Sequence, residues 1–216
     1  MNLDVARTQM LGQQIRAWDV LDNRVLRTLE TTPRERFVPR AFLELAFADT
    51  EIPLGHDQSM LAPKIEGRLL QALQIGPMDR VLEIGTGSGY MTACLARLGQ
   101  RVTSVDIFAD FIDAARGRLH EQHADNVELV VADAMTLSLP ERFDAIAVTG
   151  SVAELDERFI KMLNPHGRLF IVVGRPPVME ACLVTMSDND DWTTEGLFET
   201  VLAPLINAER PEPFVL

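Results

Sequence analysis

The stretch RVLEIGTGSGYMTACLARLGQRVTSVD, residues 80–106, decides the fold. It opens on an apolar run, Val81, Leu82 and Ile84, of strand type. It turns through Gly85, Gly87 and Gly89. A helical pattern follows, with Met91, Cys94, Leu95 and Leu98 on one side. A second short strand, residues 102–105, ends on Asp106. Strand, glycine turn, helix, strand and acid in this order make a βαβ nucleotide-binding unit.

The glycines have a physical role. A turn whose backbone approaches a ligand, or takes positive φ, is open to glycine at little steric cost. The helix after it points free N–H groups back at the turn. An aspartate at the end of the second strand suits a ribose, because a carboxylate accepts two hydroxyl hydrogen bonds. The spacing is G-x-G-x-G, not the G-x-G-x-x-G that cradles a pyrophosphate. Glu83, two residues before the first glycine, would add repulsion against phosphates. These features disfavour a nicotinamide dehydrogenase. They fit a cationic ligand carrying adenosine, and S-adenosylmethionine (SAM) answers that description. A glycine-rich turn in an α/β fold with no ligand is the plainer alternative.

The rest of the chain sets bounds. It has 216 residues and a net charge of −12, with 47% hydrophobic and 24% charged residues. That is enough for one α/β domain over residues 1–216. Residues 1–75 read as a helical cap with a substrate loop, and 76–216 as the SAM-binding core. The negative charge disfavours nucleic acid as a partner. Cys94 and Cys182 sit in apolar surroundings and read as small hydrophobes, so a reducing, cytoplasmic location is expected. Neither belongs to a metal-binding spacing, so no metal is expected. The N-terminus has no signal-peptide pattern and no apolar run is long enough to span a membrane. A monomer is the expectation.

Apolar periodicity predicts helices over residues 2–18, 22–30, 41–48 and 63–73, with a short one after Thr32-Pro33. Residues 52–63 read as a loop. After Asp106, helix (108–120), strand (127–132), strand (143–148), helix (156–163) and strand (168–173) continue the alternation. Asn164 to Gly167 reads as a helix stop. Residues 181–186 and 194–205 read as an antiparallel hairpin about a polar turn. The expected fold is α/β: Rossmann-like, mainly parallel, helices on both faces, a C-terminal antiparallel hairpin and an N-terminal helical cap. Residues from Glu209 onward read as an exposed extension.

Ligands in open α/β sheets bind at the C-terminal strand ends. Four stretches meet there: Glu83 to Tyr90, including Thr86 and Ser88; Asp106 with Ile107; Asp133 with Ala134; and Thr149 with Gly150. Asp106 is assigned to the ribose and Asp133 to the adenine amino group. A strand-end aspartate also serves as a helix cap without any ligand. Arg34 and Arg36 are candidates for a peptide carboxylate, or for salt links to Glu35, Glu44 or Asp49.

Further segments make the likeness specific: RERFVP (34–39), AFAD (46–49), IPLG (52–55), residues 81–90, FDAI (143–146), Val148-Thr149, Gly167 to Leu169, and Val173-Gly174. With these the chain resembles the protein-L-isoaspartate O-methyltransferase family nearly end to end. The resemblance implies methyl transfer from SAM, with S-adenosyl-L-homocysteine (SAH) as product. The implied acceptor is the carboxylate of isoaspartyl residues in damaged proteins, which are then the partners.

One loop departs from that family. The family pattern is G-x-G-Q-T-I-S-Q-P, with the catalytic role on its serine. Here the loop is GHDQSMLAP, residues 55–63. Gln58 and Pro63 match, Ser59 stands for the threonine, and Leu61 stands for the serine. Asp57 replaces a glycine. Ser59 is the candidate catalytic residue, with His56, Gln58 and Leu61 as the substrate loop. His56 as a base is a lesser candidate. Three outcomes stay open: Ser59 takes over the role, the acceptor differs, or SAM is bound without catalysis; a fourth, plainer reading leaves Ser59, His56 and Asp57 as solvated loop residues.

Overall fold

The structure is a computed structural model and describes residues 3–208. α1 (Leu3–Gln9) continues through a π-helical segment (Met10–Ile15) and a 3₁₀ turn (Arg16–Trp18). The expected helix is therefore present from residue 3, with a change of pitch. Met10 and Ile15, five residues apart, are both buried, and a π segment brings residues at that spacing into line. α2 (Asn23–Thr31) is capped by Asp22, whose carboxylate accepts from the Arg24 and Val25 N–H groups. The next two expected helices are 3₁₀ turns, Arg34–Arg36 and Arg40–Leu45. Pro39 between them has no N–H to give, so an α-helix cannot run through.

The expected loop over residues 52–63 is in large part a hairpin. β1 (Ile52–Gly55) pairs antiparallel with β2 (Gln58–Met60), Ile52 facing Met60 and Pro53 facing Ser59. His56 and Asp57 turn the corner at φ 51° and 55°, the backbone of a two-residue primed turn. Pro53 and Gly55 hide the strand in the sequence, because both lower strand propensity. α3 (Pro63–Leu73) follows, burying Ile65, Leu69, Leu70 and Leu73.

β3 (Arg80–Ile84), α4 (Tyr90–Leu98) and β4 (Arg101–Asp106) form the βαβ unit. α5 (Ala109–Glu121), β5 (Val127–Val131), β6 (Phe143–Val152), α6 (Glu157–Ile160), β7 (Leu163–Arg175), β8 (Val178–Met186) and β9 (Trp192–Glu199) complete the chain. One sheet runs β5-β4-β3-β6-β7-β8-β9. β3 to β7 are parallel, and β8 and β9 add antiparallel. This is the expected Rossmann-like layout with its C-terminal hairpin.

Several boundaries differ from the sequence reading. α6 is one turn long, and residues 164–167 lie within β7. Phe143 faces Leu163 but Ala145 faces Arg168, so the ladder absorbs those residues as an irregularity. Asn164 anchors it by donating from Nδ2 to Asp144 at 2.8 Å. β9 ends at Glu199; beyond it the chain leaves the edge and crosses back to β6, where Pro204 bridges Ser151. The expected extension from Glu209 lies outside the described residues.

Both sheet faces are covered, which is why the central strands read as apolar runs. Val81, Val102, Ala145 and Phe170 pack toward α2, α3 and α4 on one face. Leu82, Ile84, Val105, Ile146 and Leu169 form a second cluster on the other. Cys94 and Cys182 are buried and free. Among the described residues no helix is long and apolar enough to cross a membrane. The chain builds β4 and β5 on one side of β3, then β6 and β7 on the other. The strand ends diverge there and leave a crevice.

Candidate functional site

The crevice is floored by the glycine turn. Gly85, Gly87 and Gly89 take φ 97°, 50° and 84°. At Gly85 space adds to the conformational demand: a Cβ would stand 2.2 Å from Thr149 Oγ1. That hydroxyl lies 3.0 Å from the Ile84 carbonyl and 2.9 Å from the Gly85 carbonyl, donating to them and tying β6 to the turn.

Asp106 sits at the end of β4, almost wholly buried. Its Oδ2 accepts from Gly87 N–H at 2.8 Å and its Oδ1 from Phe108 N–H at 3.0 Å. Desolvation raises its pKa, opposed by those backbone donors. Each oxygen keeps a lone pair for a further donor. Asp133 accepts from Met135 N–H on Oδ1 and from Asn207 Nδ2 on Oδ2, both at 2.8 Å. It thus organises its own turn and fastens the returning C-terminal segment.

Glu83 lies elsewhere than a motif reading suggests. It is fully buried behind the turn and is not among the residues lining the crevice. Its Oε2 accepts from Thr92 Oγ1 and Ser104 Oγ, both at 2.5 Å, and Thr86 Oγ1 lies 2.6 Å from Ser104 Oγ. Its Oε1 has no partner. Desolvation pushes its pKa up to about 8 despite the two hydroxyls. Sealed behind the turn and with its charged form disfavoured by burial, Glu83 sets no carboxylate against a ligand in the crevice, contrary to the sequence expectation. The spacing and the two strand-end aspartates are what remain of it.

The crevice walls come from five places. Leu54, Gln58 and Ser59 descend from the hairpin; Ile107, Phe108 and Phe111 rise from the start of α5. Ala132, Asp133 and Ala134 follow β5, Thr149 and Gly150 belong to β6, and Leu205 and Ile206 close the side. A smaller cavity adjoins it over the turn. Ser59, Gly85, Gly87 and Thr149 line both spaces, while Thr86, Ser88, Leu61 and Glu66 line only the inner one. Gly89 lines neither; it begins α4, where a Cβ would crowd Ala115 at 3.0 Å.

The hairpin tip is fastened above. The His56 ring stacks on Phe108, centroids 4.1 Å apart and 8° from parallel, with Phe111 edge-on at 5.3 Å. Its Nε2 lies 3.0 Å from Asp110 Oδ2, and this contact lowers the Asp110 pKa. The hairpin base is held from below. Arg34 is buried and ion-paired with Glu66, and it donates to the Leu61 carbonyl at 2.7 Å and the Ala46 carbonyl at 2.9 Å. Its guanidinium also lies over the Tyr90 ring, 4.9 Å from the centroid. None of its sequence-expected partners, Glu35, Glu44 or Asp49, is the one it uses. Leu61 is in the core, 7% exposed, whereas Ser59 faces the crevice.

Sequence reading missed Leu54, Phe108, Phe111, Glu66, Leu205 and Ile206. Phe108 and Phe111 carry a signal, lying two and five residues past Asp106 on one side of a helix start. Glu66 and Leu205 carry none, since only packing brings them near. Glycines that admit a backbone-close ligand, two strand-end carboxylates and aromatic walls fit an adenosine-bearing cation.

Comparisons with known proteins agree in one direction. The model of the family "Protein-L-isoaspartate(D-aspartate) O-methyltransferase" matches residues 6–210. The chain is 35% identical to "Protein-L-isoaspartate O-methyltransferase 2" of Pelobacter propionicus, over 96% of this chain and 93% of that one. It is 38% identical to the protein of that name in Rhodopseudomonas palustris, over 92% of each. In fold it is similar to a putative protein-L-isoaspartate O-methyltransferase of Plasmodium falciparum, solved with SAH. The TM-score is 0.81 at 19% identity, covering 95% of this chain and 98% of that one.

Proposed function

The chain belongs to the protein-L-isoaspartate(D-aspartate) O-methyltransferase family, and from that premise we propose how its crevice works. The protein is a SAM-dependent O-methyltransferase acting on the isoaspartyl carboxylates of damaged proteins. When bound, SAM supplies a methyl group already electrophilic on a sulfonium. Asp106 would hold the ribose hydroxyls with its remaining lone pairs. Ile107 and Ala134 would line the adenine, and Asp133 would take its amino group. Gly85 and Gly87 let the backbone lie against the cofactor. Glu83 and Gly89 shape the turn from behind, Thr86 lines the inner cavity, and Thr149 locks the turn to β6.

The acceptor carboxylate is ionised at neutral pH and needs no strong base. The protein's task is alignment and the exclusion of water. Ser59 is the residue we assign to the acceptor. It faces the crevice, lies between the two cavities and carries a hydroxyl that can donate to a carboxylate. Leu61, the counterpart of the family's serine, is largely buried and reaches only the inner cavity with an apolar side chain that cannot donate, and its backbone carbonyl is already taken by Arg34. That single observation, a hydroxyl two residues early on the crevice side of the hairpin, carries the assignment. Gln58 lines the crevice beside Ser59, and His56 fastens the hairpin through Phe108 and Asp110.

The finer setting follows from charge and cysteines. We place the protein in the cytoplasm as a monomer, acting on proteins and not on nucleic acid. The −12 net charge supports proteins over nucleic acid, and the two free thiols support the compartment.

The test is methyl transfer from labelled SAM to one peptide in matched aspartyl and isoaspartyl forms. Transfer to the isoaspartyl form alone is expected. Tight SAM binding without transfer to it would overturn the acceptor assignment. Ser59→Ala should lower kcat/KM about 10- to 100-fold, the worth of one hydrogen bond to a charged group, while SAH still binds.

A further inference from the structure

The inner cavity has chemistry that the proposed reaction does not use. With adenosine placed by Asp106 and Asp133, the other end of the cofactor extends over the glycine turn. That end is an amino acid, carrying one ammonium and one carboxylate. The two cavities share Leu54, Ser59, Gly85, Gly87 and Thr149, so the path between them runs over the turn and under the hairpin. Beyond it the inner cavity presents hydroxyls from Ser59, Thr86 and Ser88, and one carboxylate, Glu66.

Glu66 is in the first turn of α3 and 2% exposed. Burying a carboxylate costs free energy, and a nearby cation offsets it only in part. Arg34 offsets that cost in part, and it is itself held by the carbonyls of Ala46 and Leu61 and the face of Tyr90. The pair occupies only one oxygen of Glu66, Oε2, and an ionised carboxylate has about four acceptor sites. Desolvation raises the Glu66 pKa while Arg34 lowers it, so a second cation would stabilise the charged form further.

We infer that Glu66 is a cofactor-binding residue that accepts from the α-ammonium group of SAM and SAH in the inner cavity. Serine and threonine hydroxyls are left for the carboxylate of the same amino-acid end. The motif acid Glu83 cannot take the ammonium, because it is sealed behind the turn. Through Arg34 the same carboxylate is joined to the Leu61 carbonyl, so the site for the ammonium and the base of the hairpin share one anchor.

The inference rests on the SAM reading, and the test separates the two. Three ligands are titrated calorimetrically into the full-length protein: SAH, SAH lacking its α-amino group, and 5′-methylthioadenosine, which has no amino-acid end. Wild type should bind SAH about 10- to 100-fold tighter than the des-amino analogue, the range for a hydrogen bond between charged groups. Glu66→Gln should bring SAH and the des-amino analogue within about threefold of each other, with methylthioadenosine binding as in wild type. If Glu66→Gln does not fold, Arg34→Met with Glu66→Met replaces the buried pair by apolar side chains of similar size. The same loss of discrimination is then expected. Discrimination kept in the variant, or absent in wild type, overturns the role of Glu66. Failure of wild type to bind both SAH and methylthioadenosine overturns the cofactor reading, and the inference with it.

Discussion

Glu83 carries a plain pH signature. Its pKa rises from an ordinary 4.5 to about 8 on folding, because burial disfavours the charged form. The folded state therefore holds a proton that the unfolded chain has lost between those two values. Stability from this group declines as pH rises from about 4.5 toward 8, then levels off. Glu83→Gln keeps an acceptor for Thr92 and Ser104 and cannot ionise. In paired denaturant titrations from pH 5 to 9 the variant should gain on wild type as pH rises. The slope should be on the order of 1 kcal/mol per pH unit, flattening above pH 8. A difference that does not change with pH would mean that Glu83 is ionised in the fold. Gly85 tests the turn in another way. Alanine at φ 97°, with its Cβ 2.2 Å from Thr149 Oγ1, must displace β6 or the turn. Gly85→Ala should abolish SAH binding by calorimetry. Retained binding would show that the backbone at this position does not approach the cofactor.

Among the elements, the β1–β2 hairpin has the most to do with function and was the least legible in the sequence. It is a two-stranded ribbon outside the main sheet, and such ribbons are marginal without tertiary contacts. Two attachments hold it: Arg34 at its base, and His56 against Phe108 and Asp110 at its tip. The tip contacts close the crevice where Gln58 and Ser59 face it. His56→Asn preserves a residue type that tolerates positive φ and removes the ring stack. It should speed SAH release about 2- to 10-fold in stopped flow, the worth of one aromatic contact. Unchanged release would show that the tip does not gate the crevice. The base is a structural attachment as well. Arg34→Ala leaves Glu66 buried without its partner and should cost about 3–5 kcal/mol in denaturant unfolding.

The whole molecule binds its ligand at the junction of parts far apart in sequence: hairpin, turn, start of α5, ends of β5 and β6, and the segment through Leu205. A ligand touching all of them stabilises the fold by mass action. SAH at about 100 times its Kd adds about 2.7 kcal/mol, which for this size raises Tm by roughly 5–10 °C. NAD, with its pyrophosphate, should give no shift at the same concentration. An equal shift from NAD would sink the argument from the short glycine spacing.

What the sequence determined by itself is local and periodic. Apolar runs, the three glycines and Asp106 specify the βαβ unit, and strand-helix alternation specifies a parallel sheet with its crevice. These follow from backbone sterics and burial patterns, which act over a few residues. The family was legible too, from RERFVP and IPLG at their spacing from the turn. Tertiary structure decided the rest. It put Glu83 behind the turn, because Thr92 and Ser104 on neighbouring elements supply its donors. It made a hairpin of a stretch with proline and glycine, because Arg34 and Phe108 hold it from outside. It buried Met60 and turned Ser59 outward, since successive residues of a strand face opposite ways once one face meets the core, and it buried Leu61 just past the end of β2, where the chain turns into α3. Glu66 and Leu205 reached the site for the same reason: contacts between distant segments depend on how the whole chain packs, and no local pattern encodes them.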